Sequence, residues 1–387
     1  MEGFSEAVKI LDINNLYSPS GGGIRVYHHE KLKWCSSRGI ENLVLYPARE
    51  NNTVQVNGGT VRGIKSPGLG GSGYSFFTRG KPLREIIASF NPDVIELGSG
   101  IVVPRMVRSA IKDTPAFAYF HSNWPETLPM SVLGITGSLP RNLFRKLTTP
   151  MMQRAYRDLN AVMAASDYSI DCLKRAGITR IKKIPLGTDP DVFHPNKRSE
   201  ELRKTLGVPY EGKMVLYMGR LAPEKGIQIL LEACPRLFRE KNLTVVIAGS
   251  GHWNKRVHKA AHRYPDRLKL VSRVETKHQA AELMASADVF VSAGPLETFS
   301  LTTLEALACG TPVAACTQAA ASELVTQAGG SSTYSPWNSG EALAEAILSA
   351  ASTTPEQKQS YRAFAEQYTW NACFEKEFRL YNSELNA

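Results

Sequence analysis

Residues 213–226 read KMVLYMGRLAPEKG, an apolar run that ends at a glycine and continues with an arginine, a proline and a lysine. Residues 287–308 have the same construction, because the run ADVFVS is followed by the loop AGPLETFS and by LTTLEALA. The apolar runs have the length of buried strands, and the segments after them have the period of helices. This order predicts a parallel sheet covered by helices, with ligands bound beyond the carboxyl ends of its strands.

The alternation runs through both halves of the chain and predicts two α/β domains in tandem. The predicted strands are Val8–Ile13, Leu43–Tyr46, Val94–Leu97, Ala116–Phe120, Met214–Met218, Leu243–Ala248, Leu268–Val271, Val289–Ser292 and Val313–Ala315. The glycine-rich stretch from Gly58 to Gly80 is expected to be a loop. Proline, glycine and aspartate cluster at 185–195, which predicts an N-terminal domain over 1–187 and a second domain over 188–365.

The charge is unevenly distributed along the 387 residues. Of a formal net charge of +10, nearly all lies in residues 1–190, which hold 24 lysines and arginines against 15 aspartates and glutamates. A basic half favours anionic partners such as phosphates or a membrane surface. The six cysteines form no Cys-x-x-Cys pair and no basic apolar leader opens the chain, so we expect reduced thiols in a cytoplasmic protein. No apolar run approaches the ~20 residues of a membrane span.

The loop after residue 218 carries charges that suit a diphosphate. Gly219 permits close approach of a ligand to the backbone. Arg220 offers a planar fork of donors that matches phosphate oxygens, and Lys225 offers a compact positive charge. The helix predicted to begin at Gly226 adds oriented amides, which also favour an anion.

The loop and helix after residue 292 carry two carboxylates. Ser300 is predicted to cap the helix, so that the amides from Phe299 onward point toward a ligand. Glu297 lies in the loop, whereas Glu305 lies in the helix among leucines and alanines, where a carboxylate needs a partner. Because carboxylates accept hydrogen bonds from hydroxyls, the two can hold different parts of one extended, sugar-containing ligand.

The motif GRLAPEKG at 219–226, followed further along by two glutamates and by ACGTPV at 308–313, resembles the retaining GT-B glycosyltransferases of family 4. The triple glycine at 21–23 and the segment Gly187-Thr188-Asp189 add to the resemblance. It implies an α/β fold of two Rossmann-like domains facing across a crevice, with the nucleotide sugar mostly in the C-terminal one. It also implies that a last helix, over 366–387, crosses back to the first domain.

The resemblance implies roles for individual residues. Arg220 and Lys225 would hold the donor diphosphate, Glu305 the ribose and Glu297 the donor sugar, while His121 would lie near the anomeric centre. The further donor-binding residues implied are Gly22, Gly23, Gly219, Arg273, Thr298, Phe299, Ser300 and Leu301, with Arg273 near the base. Many relatives have glycine in place of Thr298 and Ser300, which is a departure in this chain.

The resemblance also implies a mechanism without a metal or other cofactor. As the nucleoside diphosphate leaves, the cations and the helix start oppose its growing charge. The sequence Asp189-Pro190-Asp191 has the spacing of a metal-binding pair, but its central proline favours a turn. Since no residue stands out as a protein nucleophile, a front-face route is expected, in which the donor phosphate deprotonates the acceptor.

Likeness to bacterial mannosyltransferases favours GDP-mannose as the donor and a cell-surface glycan or glycolipid as the acceptor. A UDP-glucose or other UDP-hexose transferase is the alternative donor class. A non-catalytic partner subunit, or a protein that binds an anionic surface, is the alternative of another class. Nucleic acid is not expected as a partner, because cations and aromatics do not alternate on one element. A nicotinamide dehydrogenase is excluded because residues 21–26 lack the Gly-x-Gly-x-x-Gly spacing.

The segment 141–157 is basic and contains no acidic residue. Its cations are Arg141, Arg145, Lys146, Arg154 and Arg157, with leucine, phenylalanine and methionine between them. This composition is typical of a helix lying on anionic lipid, and a solvated basic face is the alternative. The membrane interpretation predicts a peripheral protein at the inner face of the membrane and a lipid-linked acceptor.

Overall fold

The structure is a computed structural model that describes residues 8–68, 75–131, 138–330 and 332–385. The chain divides into two compact units. Unit 1 comprises Met1–Leu186 and Trp370–Ala387, and unit 2 comprises Gly187–Thr369. The first break lies one residue before the boundary expected from the sequence, and the second lies a few residues after it.

Unit 1 has a sheet of eight strands in the order β3-β4-β2-β1-β5-β6-β7-β8. Neighbouring strands are parallel except β3 and β4, which are antiparallel. The strands are β1 (Lys9–Ile13), β2 (Glu41–Ala48), β3 (Asn52–Val56), β4 (Gly59–Lys65), β5 (Val94–Gly98), β6 (Ala116–Tyr119), β7 (Ala161–Ala164) and β8 (Ile181–Lys183). The helices between them are α1 (Gly23–Ser36), α2 (Lys81–Phe90), α3 (Val102–Val107), α4 (Trp124–Ser131), α5 (Ser138–Tyr156) and α6 (Asp167–Arg175).

Unit 2 has a parallel sheet of six strands in the order β11-β10-β9-β12-β13-β14. The strands are β9 (Lys213–Met218), β10 (Leu243–Ala248), β11 (Leu268–Val271), β12 (Val289–Ser292), β13 (Val313–Cys316) and β14 (Thr333–Tyr334). The helices are α7 (Glu200–Thr205), α8 (Ile227–Leu237), α9 (Asn254–Arg263), α10 (Lys277–Ser286), α11 (Leu301–Ala308), α12 (Ala320–Gln327), α13 (Gly340–Ala350) and α14 (Pro355–Ala365).

The expectation of a loop from Gly58 to Gly80 was wrong at its beginning. Strand β4 occupies its first residues and forms a hairpin with β3, which the sequence pattern did not predict. The parallel register with β2, in which Leu43 faces Thr60 and Ala48 faces Lys65, supplies the backbone hydrogen bonds. Val61 is buried with residues of α1 and β2, so tertiary packing overrides the weak local signal.

None of the described helices is both long enough and apolar enough to cross a membrane.

The last helix, α15 (Trp370–Leu385), belongs to unit 1 and packs against α1. Aromatic side chains fill this contact, and the rings of Trp34 and Phe378 have centroids 4.5 Å apart. The helix thereby covers the face of α1 that carries a buried ion cluster.

Lys31 of α1 is completely buried, with its ammonium among three carboxylates that are also buried. Its Nζ lies 2.9 Å from Asp12 Oδ1 on β1, 2.8 Å from Glu96 Oε2 on β5 and 2.8 Å from Glu377 Oε1 on α15. We call these four residues the Lys31 cluster. Because a buried charge is tolerated only when it is paired, the cluster requires α1, both strands and α15 to be in place together.

The Lys31 cluster holds more carboxyl groups than one ammonium can neutralise. Burial raises the pKa of Asp12 to about 6 and that of Glu377 to about 7, although the charge of Lys31 opposes both shifts. Burial is also the largest single influence on Glu96, but the interactions with Lys31, His28 and His121 together outweigh it, and the pKa of Glu96 falls to about 2. The Tyr27 hydroxyl lies 2.8 Å from Glu96 and 2.7 Å from Glu377 and has one hydrogen to donate. Both contacts are satisfied when Glu377 carries a proton.

We expect the substitution Glu377→Gln to flatten the pH dependence of thermal stability. In the folded protein Glu377 binds its proton up to about pH 7, whereas in the unfolded chain it loses the proton near pH 4.5. This group therefore stabilises the fold below about pH 4.5, and the contribution is lost as the pH rises through about 7. The unfolding temperature of the wild type should fall between pH 5 and pH 8 more steeply than that of the variant.

The control is Glu375→Gln, on the same helix but half-exposed, which should keep the wild-type slope. Equal slopes for the wild type and Glu377→Gln would contradict a protonated Glu377.

Candidate active site

The two loops singled out from the sequence leave neighbouring strands of unit 2. Strands β9 and β12 are paired in parallel, so their carboxyl ends reach the same edge of the sheet. Gly226 has φ +69°, and a Cβ there would stand 2.3 Å from the carbonyl oxygen of Ala293. A Cβ on Gly294 would likewise stand 2.9 Å from the oxygen of Glu224. The loops thus touch backbone to backbone, at positions that only glycine permits.

This contact brings the predicted cations and carboxylates together. Lys225 Nζ lies 2.7 Å from Glu297 Oε1, and both side chains remain partly exposed. Arg220 pairs through Nη2 with Glu224 Oε1 at 2.5 Å, where Glu224 is buried and the guanidinium is about half-exposed. The Tyr217 hydroxyl donates to the Arg220 carbonyl at 3.0 Å. Two partly exposed cations are therefore held at the sheet edge, where a ligand can reach them.

Ser300 does not cap α11 with its side chain, which corrects that part of the expectation. It is the residue before the helix, but its Oγ lies 2.9 Å from Thr303 Oγ1 and 3.4 Å from Ser292 Oγ. Its backbone is left-handed, with φ +73°, a conformation that favours glycine. A glycine would adopt this backbone without strain. The neighbouring residues Thr298 and Phe299 are buried, and Leu301 begins the helix, where the first amides have no partner within the helix.

Glu305 lies one turn into α11 and is half-buried. Among the residues that the structure describes, no side chain forms a hydrogen bond or ion pair with its carboxylate. Burial raises the pKa of Glu305 to about 8. A carboxyl group in this state gains from a ligand that donates hydrogen bonds, because such bonds favour its ionised form.

The predicted residues of unit 1 also lie at the carboxyl edge of their sheet. His121 follows β6, and its ring stacks on that of Tyr119 with centroids 4.2 Å apart. Burial lowers the pKa of His121 to about 4, so the ring is neutral at pH 7 and can act through hydrogen bonds rather than charge. Gly22 precedes α1 with φ +99°, and Gly23 is the first residue of that helix.

Three further residues considered from the sequence take no part in these contacts. Arg273 is exposed after β11 and pairs with Glu275 at 3.3 Å. Gly219 has ordinary space around it, since a Cβ would meet Tyr217 at 3.7 Å. Asp189 accepts from the Val192 amide in a turn and pairs with Lys277 at 2.7 Å, as the turn interpretation predicts.

One group of described residues has the composition of a metal site, namely Asp12, His28 and Glu96 in unit 1. The Lys31 ammonium already bonds both carboxylates, and the Asn14 side-chain nitrogen lies 3.1 Å from His28 Nε2. The position that a cation would take is thus occupied by a fixed positive charge of the protein itself.

Family models match both halves of the chain. Residues 21–192 match the model described as Glycosyltransferase Family 4, and residues 198–367 match Glycosyl transferases group 1. The chain is a family 4 glycosyltransferase with the GT-B fold. It is therefore an enzyme that takes its sugar from a nucleotide sugar.

This glycosyltransferase is similar to two curated mannosyltransferases. The GDP-mannose-dependent alpha-(1-6)-phosphatidylinositol dimannoside mannosyltransferase of Mycobacterium tuberculosis is 26% identical over 370 residues, which cover 94% of this chain and 93% of that protein. The GDP-mannose-dependent alpha-mannosyltransferase of Corynebacterium glutamicum is 29% identical over 235 residues, which cover 59% of this chain and 52% of that protein.

Two solved structures share the fold of this glycosyltransferase along nearly its whole length. Sucrose-phosphate synthase from Thermosynechococcus elongatus gives a TM-score of 0.79 at 17% identity, covering 98% of this chain and 99% of that one. HepE of Anabaena in complex with UDP-glucose gives a TM-score of 0.73 at 21% identity, covering 97% of this chain and 99% of that one.

Sequence reasoning missed two features of the glycosyltransferase. Glu224 pairs with the Arg220 side chain, but no role was predicted for it from the sequence. The Lys31 cluster was also missed, although Asp12 interrupts an apolar strand and Lys31 lies on the same helical stripe as Tyr27. Charged residues at such positions are the signal that could have revealed it.

We expect nucleotide binding to release a proton from Glu305 near pH 7. If ribose hydroxyls donate to this carboxylate, they lower its pKa from about 8, so affinity should increase as the pH rises from 6 to 8. Calorimetry in buffers of different ionisation enthalpy measures the released proton directly. Glu305→Gln should abolish the release and weaken binding roughly tenfold or more.

Glu232→Gln, an exposed change on α8, serves as the control and should behave as the wild type. A binding enthalpy for the wild type that does not depend on the buffer would rule out this role for Glu305.

Proposed function

We propose that this enzyme transfers mannose from GDP-mannose, with retention of configuration, to a glycan or lipid-linked acceptor in cell-surface polysaccharide or glycolipid synthesis. The observation that carries the proposal is the similarity to a GDP-mannose-dependent enzyme over almost the full length of both chains. The mannosyltransferase of C. glutamicum supports the same donor. The exposed cations and carboxylates of unit 2 are the groups that such a donor needs.

In the proposed reaction the donor diphosphate lies against Arg220, Lys225 and the first amides of α11. Negative charge grows on the diphosphate as the bond to the sugar breaks, and these groups are already oriented to oppose it. Glu224 and Glu297 hold the two cations in place, so little reorganisation accompanies the charge separation. The charge can be balanced by protein groups alone, and we propose a reaction that needs no metal.

Retention is proposed to follow a front-face route. The acceptor hydroxyl approaches on the side from which the diphosphate leaves, and a phosphate oxygen takes its proton. Glu297 pairs with Lys225 and accepts hydrogen bonds from the sugar hydroxyls. The neutral ring of His121 forms a hydrogen bond with the sugar. A glycosyl adduct on Glu297, detected by mass spectrometry, would contradict this route.

We expect GDP, but neither UDP nor ADP, to raise the unfolding temperature at matched concentrations. A ligand at about 100 times its dissociation constant stabilises the fold by roughly 2.7 kcal/mol, which gives a readily measured shift. Lys225→Ala should abolish the shift, whereas Lys241→Ala, an exposed change after α8, should preserve it.

A shift with UDP alone would replace GDP-mannose by a UDP-hexose as the donor. No shift with any nucleotide, together with no turnover of GDP-mannose, would favour the non-catalytic partner. Transfer of mannose that is unchanged by EDTA, with an α-linked product by NMR, is the result expected of the full proposal.

We also propose that α5 lies on an anionic membrane surface, where a lipid-linked acceptor would be found. Leu143 and Leu147 are one turn apart and are 60% and 64% exposed. Lys146 and Arg154 are exposed on the same helix, whereas Arg145 pairs with Glu126 at 3.4 Å. Arg141 lies outside the side chains that the structure describes. Exposed leucines beside cations are typical of helices that insert into a lipid interface.

Sedimentation with vesicles tests this second proposal. The enzyme should bind vesicles of phosphatidylcholine with phosphatidylglycerol more strongly than pure phosphatidylcholine, and the double substitution Leu143→Ser/Leu147→Ser should weaken binding several-fold. Tyr210→Ser removes an aromatic ring that is 92% exposed in unit 2 and is the control. Equal binding to both vesicle types would argue against the interfacial helix.

A further inference from the structure

A wide groove lies on unit 1 between strand β4 and helix α2. Its volume is about 1590 Å³, large enough for a ligand of substantial size. We call it the edge groove, because the hairpin β3–β4 is the edge of the sheet. The edge groove is distinct from the residues of unit 2 discussed above, and none of the sequence-derived roles falls on it.

The edge groove has an apolar floor. Phe77 is 3% exposed, and Ile64 and Ile86 pack against the main core of unit 1. The Phe77 amide donates to the side-chain oxygen of Asn15 at 3.2 Å. Since Asn15 follows β1, one end of the edge groove lies beside a loop at the carboxyl edge of the sheet, which is the edge where α/β folds bind ligands.

Four cations line the edge groove, namely Arg49, Arg62, Lys65 and Arg79. The register of the sheet explains two of them, because Ala48 on β2 faces Lys65 on β4 and Arg49 follows directly. The Ser66 amide donates to the Ala48 carbonyl at 2.7 Å and fixes this end of the hairpin. Arg62 precedes Ile64 by two residues and therefore shares its face of the strand.

These cations have no acidic partner within the described part of the chain. The single acid of the edge groove, Glu85, pairs with Lys81 at 3.7 Å on the surface of α2. Like charges gathered over an apolar floor repel one another and attract an anion strongly. The arrangement suits a ligand that has both a phosphate and a less polar portion.

We propose that the edge groove binds the phosphate-bearing part of the acceptor, with the apolar floor beneath its less polar portion. The term acceptor rests on the proposed function, whereas the binding of a phosphate anion to the edge groove does not. Arg62 and Arg79 are the principal phosphate contacts, because Arg62 shares the strand face of the floor residue Ile64 and Arg79 follows the floor residue Phe77 by two residues. Two guanidinium forks together match the oxygens of a phosphate ester.

Calorimetry on the full chain tests the proposal with two probes, dihexanoyl phosphatidic acid below its micellar concentration and glycerol 3-phosphate. Both carry the phosphate, and only the first carries acyl chains. Arg62→Gln/Arg79→Gln should weaken binding of dihexanoyl phosphatidic acid roughly tenfold or more. Lys112→Gln/Lys174→Gln, which removes two exposed cations of unit 1 outside the edge groove, should leave it unchanged.

The two probes distinguish the source of the phosphate. Tighter binding of dihexanoyl phosphatidic acid supports a lipid-linked ligand, and equal affinities support a free phosphate ester, in both cases at the edge groove. No binding of either probe to the wild type, or equal losses in the two double variants, would overturn the proposal.

Titration with GDP separates this result from the proposed function. The Arg62→Gln/Arg79→Gln variant should bind GDP as the wild type does, which also shows that it is folded. If the probes bind and GDP does not, the edge groove stands and the GDP-dependent function fails.

Discussion

Parallel strands end at one edge of their sheet, and this constraint determines where the functional residues of each unit lie. In unit 2 the adjacency of β9 and β12 forces the loops that follow them into backbone contact at Gly226 and Gly294. The ion pair of Lys225 with Glu297 is a consequence of that contact. The left-handed backbone at Ser300 then sets the direction in which α11 begins, and with it the place of Glu305.

The charged clusters of the two units differ in their exposure to solvent. The Lys31 cluster is buried, and its ammonium is paired with carboxyl groups of unit 1. Arg220 and Lys225 are paired as well, but they stay partly exposed to solvent, so a ligand can reach them. Buried charges of the first kind serve the fold, and accessible charges of the second kind serve binding. A site that binds an anionic ligand and releases it again needs the second kind.

The sequence was sufficient for five of the six strands of unit 2, all but β14, and for the positions of the two loops that carry the predicted site residues. Leu243–Ala248, Leu268–Val271 and Val289–Ser292 match their predictions residue for residue, because buried parallel strands are continuous apolar runs. The hairpin β3–β4 was not predicted, because its outer strand is exposed and its glycines suggested a loop.

The partners of buried charges were beyond prediction for a different reason. Lys31 and Glu377 are separated by most of the chain, and no local period connects them. No local period connects Lys225 with Glu297 either, although each of the two residues was identified from its own motif. Their pairing follows from strand order, which a single sequence does not reveal.

Unit 1 is assembled from both ends of the chain, because α15 supplies Glu377 to a cluster that begins at Asp12. The ribosome synthesises the chain from its N-terminus, so Lys31 emerges long before Glu377, its third carboxylate partner, has been made. Until α15 packs, Tyr27 and Trp34 remain exposed on the face of α1 that α15 covers. Chaperones can bind such an exposed aromatic surface. Unit 2 precedes α15 in the chain, so it can fold before unit 1 is complete.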